Sequence, residues 1–116
     1  MALWVLLAPN SAYPCGLCRE DNRAAVYSYE ALQRVKAHPD ELEFVVIKMT
    51  GSLSAKTVDN LGQWLSWRRG VEATTLKISS LQKSMGFVYE KKTQDKQILL
   101  MELQETFPDL SFKILD

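Results

Sequence analysis

The sequence is poor in the residues that mark several large protein classes. Its 116 residues include only two cysteines and one histidine. The cysteines, Cys15 and Cys18, stand three positions apart. A bridge between them would close too small a loop to staple a fold, which excludes a disulfide scaffold. Neither sign of charge is in excess: fourteen Lys and Arg balance fourteen Asp and Glu, six of each up to Val58 and eight of each beyond it. The basic face of a nucleic-acid or anionic-membrane binder is therefore missing. The N-terminal apolar run, Ala2 to Pro9, falls far short of the roughly 20 residues that cross a bilayer. No Lys or Arg precedes it as in a secretory signal. These absences predict an intracellular, cytoplasmic protein with no nucleic-acid or membrane partner. The remaining composition, 47% hydrophobic and 24% charged, is that of a globular chain of one domain's length, so residues 1–116 read as a single α/β domain.

The hydrophobic pattern supplies the elements. Leu3 to Ala8 is a continuous apolar run bounded by Pro9, Asn10 and Ser11, as in a strand buried on both faces. After a loop from Asn10 to Pro14, Arg19 to Lys36 carries Ala25, Tyr29, Leu32 and Val35 on one helical face, and Pro39 ends it. Glu43 to Met49, with Phe44, Val45, Val46 and Ile47, repeats the uninterrupted pattern. A strand, a helical crossover and a strand predict a parallel pair. The next helix has Thr57 as its cap, Asp59 in its first turn, Val58, Leu61 and Leu65 as its buried stripe, and Arg68 and Arg69 before Gly70. Strands are expected at Val71 to Ser79 and Gly86 to Glu90, with a turn over Lys91 to Lys96. Gln97 to Phe107 reads as a helix, with Lys96 to Leu103 as the return strand of a hairpin for the alternative. Leu110 to Leu115 alternates like a half-exposed edge strand.

Pro14-Cys15-Gly16-Leu17-Cys18-Arg19 falls between the first strand and the first helix. A Cys-x-x-Cys in that place sets its first sulfur at a helix N-terminus, where unpaired N–H groups and the positive end of the dipole favour the thiolate. Cys15 is thus the expected acidic thiol. Cys18, one turn on, lies within reach to attack a mixed disulfide and release the partner as a thiol. Gly16 permits a tight turn, and Arg19 adds positive charge that Glu20 and Asp21 offset.

Strand, Cys-Gly-x-Cys-Arg, long helix, strand, helix and strand together resemble the thioredoxin and glutaredoxin superfamily over roughly residues 3 to 90. Arg69-Gly70-Val71-Glu72-Ala73-Thr74-Thr75-Leu76 is similar, with one residue fewer after the valine, to the Gly-Val-x-x-x-Pro-Thr-Leu stretch that faces the dithiol there. The resemblance implies a central, mostly parallel sheet flanked by helices, in the order β-α-β-α-β-β-(α)-β. It further implies thiol–disulfide exchange, with Cys15 attacking and Cys18 resolving. Tyr13 and Pro14 would shape the approach, and the backbone at Thr74 and Thr75 would face the pair. The substrate would be a protein or small-molecule disulfide, and no cofactor would be needed. Thr74 stands where the superfamily has a cis-proline, a bond costing about 3 kcal/mol at any other residue. That departure suggests a second reading, an interaction module that kept the scaffold and lost its substrate groove.

Pro14-Cys15-Gly16-Leu17-Cys18-Arg19-Glu20 is also similar to the zinc-binding helix of cytidine deaminases, which implies zinc held by Cys15 and Cys18. The His-x-Glu half of that motif, which supplies a further ligand and the proton shuttle, has no counterpart in this sequence. Two thiolates fill half of a tetrahedral shell, and the lone His38 or another subunit would have to complete it. His38 itself reads more simply as a cation at a helix C-terminus. Trp64 and Trp67, beside Arg68 on the second helix, share a ridge and form a candidate anchor for a protein partner, since Trp and Arg dominate interface hot spots.

Overall fold

The computed structural model describes residues 26–115. The first predicted strand, Tyr13, Pro14, Cys15 and Cys18 lie outside them. Ser28 accepts a hydrogen bond from the Ala31 N–H at 2.9 Å and caps helix α1, Tyr29–Ala37. The helix expected from Arg19 is therefore described only from Tyr29, because Val26 to Ser28 are not helical. At its other end the His38 N–H donates to the Arg34 and Val35 carbonyls, one residue before Pro39.

Strand β1, Leu42–Thr50, leads into helix α2, Ala55–Ser66, and then into the hairpin of β2, Val71–Ser79, and β3, Ser84–Glu90. Helix α3, Lys96–Thr106, and strand β4, Ser111–Leu115, complete the described chain. The cap of α2 is Ser54, whose hydroxyl accepts from the Thr57 N–H at 3.1 Å, and not Thr57 as expected. Asp95 accepts from the Gln97 and Ile98 N–H groups at 2.8 and 3.1 Å. That cap starts a helix where the alternative had placed a hairpin strand.

The sheet overturns the expected mostly parallel, thioredoxin-like arrangement. Its order is β2-β3-β1-β4, and the β1–β3, β1–β4 and β2–β3 pairs are all antiparallel. The crossover through α2 does return β2 in the direction of β1, but β3 inserts between them. The crossover through α3 likewise brings β4 back along β3 with β1 in between. Two interleaved units of this kind make the split β-α-β, or ferredoxin-like, topology. The uninterrupted run of Glu43 to Met49 signalled coverage of both faces, which β1 has, and was wrongly taken to signal parallel pairing; the run of Leu3 to Ala8 lies outside the described residues.

The two faces are covered unequally. Val45, Ile47 and Met49 of β1 and Met85, Phe87 and Tyr89 of β3 meet Leu61 and Leu65 of α2 and Leu99 and Leu103 of α3 in the main core. On the opposite face, α1 contributes Ala31 to a small cluster with Leu42 and Val88, flanked by Val35 and Phe44. There Val26 and Phe44 close over Gly86: a Cβ at that position would meet Val26 Cγ2 and Phe44 Cζ at 2.9 Å. Tyr27 packs edge-on against Phe44, with ring centroids 5.5 Å apart.

Candidate functional site

Helix α2 turns Leu61 and Leu65 into the main core, which fixes the direction of every other side chain on it. Trp64 leans toward α3 and meets Phe107 edge-on, with centroids 6.4 Å apart. The Arg68 guanidinium lies 3.9 Å from the centre of the Trp64 ring, and its Nη2 reaches Glu102 of α3 at 3.3 Å. Its Nε is buried with no hydrogen-bond partner among the described residues. The cation–π contact and the Glu102 carboxylate therefore carry the charge and hold Arg68 to the seam between the helices.

Trp67 does the opposite. It is the C-cap of α2 and is 87% exposed. One cleft beside it, of about 540 Å³, lies between α2 and β2 over Val58, Gly62, Leu76 and Ile78. Another, of about 430 Å³, lies between α2 and the end of α3 over Trp64, Thr106 and Phe107. Trp67 stands on the rim of both. The two tryptophans thus do not share one exposed ridge: Trp64 is half-buried support, and Trp67 alone projects.

Thr74 and Thr75 lie within β2 and not in a loop facing a helix start. No peptide bond among the described residues is cis. Between the pairs Glu72–Val88 and Lys77–Gly86, β2 carries four residues against one on β3. Thr75 mends that irregularity, donating its hydroxyl to the Glu72 carbonyl at 2.6 Å and accepting from the Val88 N–H at 2.9 Å. It is buried, while Thr74 is exposed. The spacing between these threonines and the cysteines lies outside the described residues.

A third cleft, of about 290 Å³, opens at the end of α1 beside His38, Glu41, Glu90 and Lys92. Arg34 and Glu72 cross it in a two-pronged pair, Nε to Oε1 at 3.0 Å and Nη2 to Oε2 at 2.5 Å. Glu72 raises the Arg34 pKa, first through those hydrogen bonds and then through its charge, so the guanidinium stays protonated. Glu72, Glu102 and Phe107 were not foreseen, because each meets its partner across more than thirty residues of sequence and no local pattern announces the pairing. Among the described residues no three His, Cys, Asp or Glu side chains come together to hold a metal ion, and no helix is long and apolar enough to cross a membrane.

The pKa of Tyr89 is displaced as well. Burial pushes the phenol up, and the Glu43 carboxylate, opposite it on β1, adds to the shift by its charge and a hydrogen bond. Glu43 also meets Lys96 at 2.9 Å, which ties the start of α3 to the sheet. Compared with known proteins, the chain matches no family model and no curated protein, so the claim to a function rests on these residues alone.

Proposed function

We propose that the chain is a protein-interaction module whose anchor is the end of helix α2. The observation that carries this reading is the exposure of Trp67 on a rigid mount. An 87% exposed tryptophan keeps a large apolar ring in water, and burying such a ring against a partner contributes about 2 to 3 kcal/mol. The mount is set before binding, because Arg68 is held between Trp64 and Glu102, which lowers the ordering cost of association. A photo-crosslinking residue placed at Trp67 in the native cell should trap one predominant protein, whereas the same residue at exposed Lys91, away from both clefts, should trap none selectively. Indiscriminate capture from both positions overturns the reading.

The Cys15-Gly16-Leu17-Cys18 motif favours a second reading, thiol–disulfide exchange. Under it Cys15 alkylates faster than Cys18 below neutral pH, the protein reduces a test disulfide with turnover, and Cys15→Ser abolishes that turnover. Equal, slow alkylation of both sulfurs rejects it. Near-stoichiometric zinc in the untreated protein would instead identify the pair as metal ligands.

A further inference from the structure

We infer that the partner at this end of the molecule is a second copy of the chain, joined through the β2 edge in a two-fold symmetric, antiparallel pair. Among the described residues β2 is an edge of the sheet, so one side of its backbone is open to another strand. A two-fold pairing demands a self-complementary strand, and β2 is one. With the axis between Thr74 and Thr75, Glu72 of one copy falls opposite Lys77 of the other, and Val71 falls opposite Ile78. Opposite charges and apolar pairs facing each other across antiparallel strands are stabilising.

The faces agree with this register. Glu72 and Lys77 both turn toward the α1 side, the first to Arg34 and the second to the Tyr27 carbonyl at 3.4 Å. Val71 and Ile78 both pack on the main core side. Residues five apart in a regular strand turn to opposite faces; the irregularity between Glu72 and Lys77 brings the two charges to the same one. The excursion leaves Ala73 to Leu76 out of regular pairing at the axis, so the segments that pair are Val71 and Glu72 of one copy with Lys77 and Ile78 of the other.

The ends agree as well. Trp67 lies just before β2 and Leu81, 88% exposed, just after it. These are the two most exposed large apolar side chains among the described residues. Antiparallel pairing sets the Leu81 turn of one copy beside the Trp67 turn of the other. The β4 edge offers no such match, because a pairing centred on its five residues puts Lys113 opposite Lys113.

This inference rests in part on reading Trp67 as an interface residue, and the experiment separates the two. Sedimentation of the full chain in reducing buffer, where no cysteine cross-link joins copies, should give a mass near twice 13.2 kDa. Lys77→Glu should weaken the dimer about tenfold, and so should Glu72→Lys. An equimolar mixture of the two should dimerise again, since both charge pairs are restored between unlike chains. Leu81→Asp, at a side chain with no part in the core, should weaken it, while at dilutions where both proteins are monomers their thermal midpoints should coincide. A monomer at all concentrations, or a mixture no tighter than either variant alone, overturns the dimer. If the crosslinker at Trp67 then still traps one other protein, the interaction-module reading stands without it.

Discussion

The two faces of the sheet teach different lessons about what holds the chain together. The face under α2 and α3 buries side chains from the two central strands, two helices and Leu110 in one continuous core. The face under α1 buries a small cluster and relies on a close approach at Gly86 and an exposed ion pair between Arg34 and Glu72. Buried apolar area scales with stabilisation, whereas an exposed pair contributes roughly 0 to 1 kcal/mol. The α2–α3 face should therefore set global stability, and the α1 face should open separately at lower free energy.

The comparison breaks most visibly at Phe87, fully buried at the centre of the larger core. Phe87→Ala should cost about 3 to 5 kcal/mol, read as a fall in the denaturant midpoint at constant slope. A loss below about 1 kcal/mol would mean that the main core is not where the structure places it. Gly86→Ala probes the smaller face on the same strand. Its methyl group would push against Val26 and Phe44, and overpacking of that kind costs about 1 to 3 kcal/mol. Amide exchange should accelerate in α1 while β1 and β3 keep their protection. Equal acceleration throughout would show that the two faces open as one unit.

The sequence disclosed covering more readily than connectivity. Phe44 to Ile47 read as a doubly buried run and Gly86 to Glu90 as a strand; the run is doubly buried, because β1 and β3 are the central strands with helices on each side. Direction was not readable from the same runs. Whether β3 lies between β1 and β2 depends on pairing across the sheet, and hydrophobic periodicity carries no record of which neighbour a strand pairs with. Local rivals were similarly unresolved: Ser54 and Thr57 are both good caps, and only the hydrogen bond from the Thr57 N–H to Ser54 decides between them. At the candidate site, two tryptophans three apart announced a helix surface. Which of them would be clamped depended on Phe107 and Glu102, distant in sequence. The cysteine motif and its surroundings lie outside the described residues.

The smallest effect concerns Tyr89, at the margin of the larger core, and its pH dependence emerges only in alkali. Burial and the Glu43 carboxylate hold its folded-state pKa above the unfolded value of 10.0. A folded phenol that keeps its proton while the unfolded one loses it makes the native state the better proton binder. Its contribution is complete below about pH 10 and is lost as pH rises from there toward the folded pKa, at about 1.4 kcal/mol per pH unit. Tyr89→Phe removes the titrating group and should flatten the fall in stability above pH 10. At neutral pH it should cost about 1 kcal/mol for the lost hydrogen bond. Denaturant curves of the two proteins at pH 7, 10 and 11 measure both quantities. Parallel losses between pH 10 and 11 would show that Tyr89 ionises as freely in the folded chain as in the unfolded one. The phenol would then lie in water, and the strand-to-helix tie through Glu43 and Lys96 would have to hold without it.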